Sequence, residues 1–423
     1  MKLEDFLYYL SIAKSPSDIV LAWSTMGSAV RNSKAVITLE NYERSTFSQN
    51  AVKTLYLDNN DFIPYFQSPY FYFVDDDILK NMFSTRNNVE IPVDYSIMFD
   101  TNYASYIHLF VNNNTGDLKN EVFQSIATLL RDNYQYDFNF YLIENSKKID
   151  LDINWDIITF IKQNKAIFTN IVSLQLFKNI DTELFRTKGR INYTITYEEA
   201  EQEAKVVISD LFCTEQGKEY LLSFAFIQKQ MTLFLIGMLT IHFSSNRNAS
   251  KKMLDLFQFM DQKMGTFFDR ESIIAHKFFK KQSDIIIFNK IQKKGDTKNL
   301  FETINNIAWD FITPRTMELV MRYGGEGKFF IPFLLSHDIG LKQVLQLFSI
   351  KGCFFDNSMK VIPIPQQNTN EYYESENCKL DLTSYFSEEN KSTRAKRLEK
   401  NRQEINEILI EEFEKLVEAV TNH

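Results

Sequence analysis

The 423-residue chain is long enough for two or three domains and a large core, and its 44% hydrophobic and 24% charged residues are those of an ordinary globular protein. A formal net charge of -8 argues against a protein that coats nucleic acid through a global basic field, though a local patch on a short stretch stays open. Cys213, Cys353 and Cys378 are widely separated with no CxxC, which gives no thiolate metal site and fits a reducing compartment.

Scarce Gly (12) and Pro (8) beside abundant Phe (38) argue for much helix and few tight turns. The opening MKLEDFLYYLSIAKS has too short an apolar stretch and too many charges for a secretory signal, so the chain reads as cytoplasmic. Residues 1–92 form an accessory region without a motif. Its aromatic runs, such as FQSPYFYFVDDD, are suited to core packing or a partner face.

From Val93 the pattern changes. Val93, Tyr95, Ile97 and Phe99 alternate with more polar positions, a strand that ends at Asp100. A helix is predicted over 120–131. The run FNFYLI then reads as a second strand ending at Glu144, and 93–155 form the first part of an α/β domain.

Residues 156–300 read as an all-helical insertion. Thr196 and Glu199 make a capping box, and SSNRNAS is a loop between two helices. The most lipid-like run, MTLFLIGMLTIHF at 231–243, falls short of the roughly 20 residues needed to span a bilayer, so a core helix and no membrane are expected.

Residues 301–366 return to α/β character. Thr313 and Pro314 are placed as cap and first residue of a helix that stops at Gly324-Gly325. A strand through FFIPFLLS leads to Asp338 and a helix. Pro332 cannot donate to a ladder, so pairing is expected to start at about Phe333. CFFDNSMKVIPIP supplies one or two closing strands. The remainder, 367–423, reads as an exposed polar linker followed by an amphipathic helix over 392–421. The basic first half and acidic second half of that helix oppose the helix dipole. Two such helices, antiparallel, would match; a homodimer or a docked partner protein is the expectation.

Four acids therefore stand where the chain leaves a strand or approaches a helix: Asp100, Glu144, Asp310 and Asp338. A carboxylate at the end of an apolar strand is costly unless something cationic meets it, and strand carboxyl ends form ligand crevices in open parallel sheets. Gathered, the four would hold a hard cation suited to phosphodiester chemistry.

The order Phe99-Asp100-Thr101-Asn102, Ile143-Glu144, Asp310, Leu335-Ser336-His337-Asp338 resembles the PIN-like nuclease domain. The first gap (144 − 100 = 44) and the last (338 − 310 = 28) are similar to that family, whereas the middle gap (310 − 144 = 166) requires the helical insertion. The resemblance covers less than a third of the chain and its motifs are short. It implies a parallel sheet flanked by helices, an acidic quartet binding Mg2+ or Mn2+, and cleavage of RNA, or less often DNA. A role as a toxin or defence effector follows from the family alone.

Each residue also has a plain structural use. Asp100 can end a strand or cap a helix, Asp310 can be a helix-start acid, and the second ligand can come from Glu198, Glu199, Glu201 or Glu203 instead of Glu144. Asn102 and Ser336 could support metals through water or simply make turns. His337 points away from its neighbour Asp338 and is expected to face the core or solvent. Arg315, Arg322, Lys342 and Lys147 could meet phosphates or only solubilise. A haloacid-dehalogenase-type phosphatase would want an Asp where Asn102 stands. The alternative function is a non-enzymatic interaction scaffold with a degenerate α/β domain.

Overall fold

Eight strands form among the described residues: β1 (Lys34–Thr38), β2 (Phe62–Pro64), β3 (Phe71–Asp75), β4 (Val93–Phe99), β5 (Tyr136–Asp137), β6 (Phe329–Leu335), β7 (Ile350–Phe355) and β8 (Val361–Pro365). The structure is a computed structural model that describes residues 2–40, 55–56, 61–84, 91–292, 295, 297–323, 327–347 and 349–421. It is mixed α/β, about 66% helical, with one mixed and one antiparallel sheet. The chain divides into two compact units. The first holds Met1–Leu222, Arg315–His337 and Ser349–Gln366; the second holds Ser223–Pro314, Asp338–Phe348 and Gln367–His423.

The first unit contains both sheets. In the mixed sheet the order is β2-β6-β4-β5, with β6, β4 and β5 parallel and β2 antiparallel at the edge. β6 is buried along its whole length, which is why it reads as a continuous apolar run without alternation. Pairing begins at Phe329, earlier than expected, and Pro332 lies opposite Ser96. The Pro332 carbonyl accepts from the Tyr65 N–H on the side away from β4. N and C=O of one strand residue point the same way, so the missing N–H faces past the end of β2 and costs β4 no bond.

The antiparallel sheet has the order β3-β1-β7-β8. Residues 1–92, expected to be accessory, supply two of its four strands, and β7 and β8 come from the segment predicted to close the fold. Phe6, Leu10, Ile19 and Trp23 from two N-terminal helices (Leu3–Ile12 and Pro16–Met26) cover one face. There they meet Ala35, Ile37, Tyr72, Val74 and Phe354. β1 approaches β7 so closely that a Cβ at Gly352 would lie 2.5 Å from the Val36 carbonyl oxygen.

The second unit is helical. Residues 231–243 belong to a helix of 30 residues, Glu215–Ser244, long and apolar enough to cross a membrane; 67% of its most apolar window is buried. The expected exposed linker after 367 instead forms the helix Thr369–Ser375. Tyr372 and Tyr373 are buried, and their hydroxyls meet His276 Nδ1 at 2.9 Å and Ser272 Oγ at 2.7 Å.

The last helix, Glu388–Thr421, starts earlier than predicted, so Glu388 and Glu389 put acids in its first turn as the dipole prefers. Its split charge finds partners within the same unit. Arg394 and Arg397 reach Asp261 at 3.1 and 3.0 Å, while Lys263 reaches Glu411 at 3.4 Å and Glu412 at 3.1 Å.

Candidate active site at the carboxyl ends of β4 and β6

Asp100 follows β4 directly. Its backbone is extended, and Oδ1 accepts the Tyr103 N–H at 2.7 Å, which makes it the N-cap of the helix Thr101–Val111. The parallel pairing Phe99↔Leu335 brings Ser336 to the same end of the sheet. Ser336 Oγ donates to Asp100 Oδ2 at 2.5 Å. The Asp100 side chain thus sits 5% exposed, with one oxygen engaged by the helix that follows β4 and the other by the end of β6.

Glu144 reaches the same place by a route that spacing along the chain does not show. β5 is only two residues long. The Asp137 carboxylate accepts the Asn139 N–H at 2.9 Å and the Ser96 hydroxyl at 2.5 Å, so the chain turns there and the helix Asn139–Asn145 begins. Burial nevertheless raises the Asp137 pKa, with these two bonds opposing it. Glu144 therefore lies on a helix and does not close a strand. Its Oε2 accepts Thr101 Oγ1 at 2.6 Å and the Thr101 N–H at 3.3 Å; Oε1 accepts Lys147 Nζ at 3.2 Å. Lys147, a candidate phosphate contact, is engaged with Glu144. Burial pushes the neighbouring Tyr141 phenol up to about 12, with Glu144 adding to the rise.

A third carboxylate, Asp61, is tied to the same strand ends through Ser336. Asp61 precedes β2, and its carbonyl accepts the Ser336 N–H at 3.0 Å. Its Oδ1 meets His337 Nδ1 at 3.1 Å, and its Oδ2 accepts the Tyr103 hydroxyl and, at 3.4 Å, Ser125 Oγ. Burial and the adjacent Asp61 hold the Tyr103 phenol far above its ordinary pKa, so it stays a donor. Tyr106, edge-on to Tyr103 with ring centroids 5.5 Å apart, is raised by burial and then by the charges of Asp100 and Asp61. His337, expected to face core or solvent, is thus held by a carboxylate at the strand ends. Asp61 was not among the sequence candidates because β2 is too short to show alternation. Its only signal was an acid in front of an apolar pair.

The other two predicted acids belong to the second unit. Asp310 lies inside the helix Leu300–Tyr323 and does not precede a helix start. Thr313 Oγ1 donates back to the Trp309 carbonyl at 3.2 Å, a helix-interior bond, so Thr313 is no cap. Pro314 sits within the helix and removes the N–H that would reach the Asp310 carbonyl. The expected stop at Gly324-Gly325 lies outside the described residues. Asp338 does open a helix: its Oδ1 accepts the Leu341 N–H at 3.0 Å, ahead of Ile339–Leu347. Glu199 is used in the predicted capping box with Thr196, and Arg322 donates to the Ser358 carbonyl at 3.1 Å.

Among the described residues, no three His, Cys, Asp or Glu side chains converge to hold a metal unaided. Asp100 and Glu144 still offer hard oxygen donors on rigid elements. One or two carboxylates, completed by water and substrate phosphate, are the usual donor set for Mg2+. The donor chemistry fits.

No protein-family model, curated protein or solved structure matches this chain.

Proposed function

We propose that the carboxyl ends of β4 and β6 form the centre of a metal-dependent phosphodiesterase, a PIN-like nuclease acting on RNA or DNA. The observation that carries this reading is the meeting of Glu144 with Thr101, which brings a second carboxylate to the residue next to Asp100 from a separate element. The parallel trio β6-β4-β5 supports it, because ligands bind beyond the carboxyl ends of such strands.

Asp100 and Glu144 would hold Mg2+ or Mn2+, which supplies a polarised phosphate and an activated water when bound. The chain's own contribution is positional. Ser336 and the Tyr103 N–H fix one carboxylate, and Thr101 and Lys147 fix the other, so neither must reorganise when substrate arrives. The helix Thr101–Val111 directs its N-terminus at this point and favours the negative charge gathered there. The centre rests on residues of the first unit; Asp310 and Asp338 enter the proposal through their order in the chain alone.

The test incubates wild type, Asp100→Asn, Glu144→Gln, Asp310→Asn and Asp338→Asn with single-stranded RNA and DNA in Mn2+. Cleavage by wild type, reduced at least about 100-fold by the first two substitutions, is the expected result. Equal activity in all five proteins, or none in any metal, rejects the reading.

A further inference from the structure

The Asp61–His337 pair is not needed to hold a metal, yet it is firmly supported at these strand ends. Asp61 is fixed by the Tyr103 and Ser125 hydroxyls, and Ser336 is fastened on one side to the Asp61 backbone and on the other to Asp100. His337 thus follows a residue whose backbone is tied to Asp61, and its own ring meets the Asp61 carboxylate. Its side chain keeps 29% exposure.

An ionised carboxylate can only accept, so Nδ1 carries the proton toward Asp61 and the other ring nitrogen, Nε2, is left for a ligand. Among the described residues Nε2 has no partner. Tyr106, partly exposed and edge-on to the Tyr103 whose hydroxyl holds Asp61, offers an aromatic surface of the kind on which unpaired bases stack.

We propose that His337, positioned by Asp61, hydrogen-bonds a ribose hydroxyl of a single-stranded substrate and so makes RNA the preferred strand. The placement of a sugar here rests on the phosphodiesterase reading. With Nδ1–H turned to Asp61, the Nε2 of a neutral ring is an acceptor, and a hydroxyl can donate to it. A phosphate oxygen only accepts, and deoxyribose presents nothing at that position. The discrimination therefore falls on the sugar.

The test measures binding, separately from cleavage, by fluorescence anisotropy of labelled RNA and DNA strands of one short sequence, with Ca2+ in place of Mg2+. Wild type is expected to bind RNA about 10-fold tighter or more, as one hydrogen bond to a charged or polar partner allows. His337→Ala should weaken RNA and leave DNA within about twofold, and Asp61→Asn should do the same more mildly. Should a variant fold poorly, the substrate side decides: a DNA strand with a single ribose, walked along the sequence, must regain most of the preference on wild-type protein. Absence of any RNA preference in wild type, or equal losses on both strands in His337→Ala, overturns the inference. Preferential RNA binding by a wild type that cleaves nothing in any metal rejects the phosphodiesterase reading and leaves this contact standing.

Discussion

Thr101 Oγ1 donates to Glu144 Oε2 at 2.6 Å, and the same hydroxyl accepts from Asn145 Nδ2 at 3.1 Å. One side chain at the start of a helix thereby fastens two consecutive residues of another helix to the end of β4. Asn145 is buried, and it also donates to the Tyr141 carbonyl at 2.8 Å.

Replacing Thr101 with Val keeps the shape and removes both bonds. The cost is about 1–2 kcal/mol, read as a lower urea midpoint at unchanged m value. If the proposed activity is present, cleavage should fall further than stability does, because Glu144 then keeps only a backbone N–H and Lys147. A Val variant as stable and active as wild type would show that Thr101 does not position Glu144.

Arg394 and Arg397 both address Asp261, and Arg394 and Asp261 are only 11% and 15% exposed. Asp261→Ala leaves two partly buried guanidinium groups without their carboxylate, at a cost of about 2 kcal/mol. Limited proteolysis should then cut first within the Arg394–Arg402 stretch of the last helix. Cutting at the same sites and rate as in wild type contradicts this.

Gly265 has φ +71°, and a Cβ there would lie 2.6 Å from the Leu398 backbone nitrogen. Gly265→Ala combines a left-handed backbone penalty of about 1 kcal/mol with a clash against backbone that cannot rotate away. A loss of about 3 kcal/mol is expected, visible as a lower thermal midpoint. A shift under one degree would mean that the last helix can move.

His276 is buried against Tyr372 and Tyr373, and burial lowers its pKa; Glu376 opposes the shift while Lys280 and Lys277 reinforce it. Above the unfolded value of about 6.5 both states are neutral and the group contributes nothing to pH dependence. As pH falls through that value, the unfolded chain takes up a proton that the folded chain refuses. Stability therefore declines toward the lower folded pKa, with no further loss beneath it. His276→Gln should flatten the wild-type slope between about pH 7 and 5 in denaturant titrations. Parallel slopes in the two proteins exclude His276 as the source.

Local chemistry made several elements legible in the chain alone. The alternation from Val93 to Phe99, the helix Asn120–Arg131, the Thr196 capping box and the β7–β8 pair all follow from spacing within a few residues. Asp100 was legible for the same reason, since it ends an alternating strand and caps the next helix.

Glu144 and Asp310 were misplaced because their surroundings carry no period. Phe140 to Ile143 are buried on every side, so a short helix and a strand look alike, and Thr313-Pro314 imitates a helix start inside a continuous helix. The joining of Asp61, Tyr103, Ser125 and His337 could not be read at all. It depends on residues up to 276 positions apart that meet only when β6 pairs with β2 and β4. Sequence determined which residues could end a strand or begin a helix. Strand order alone decided which of those ends share one edge, because a carboxylate's partners are set by distance in space and not by distance along the chain.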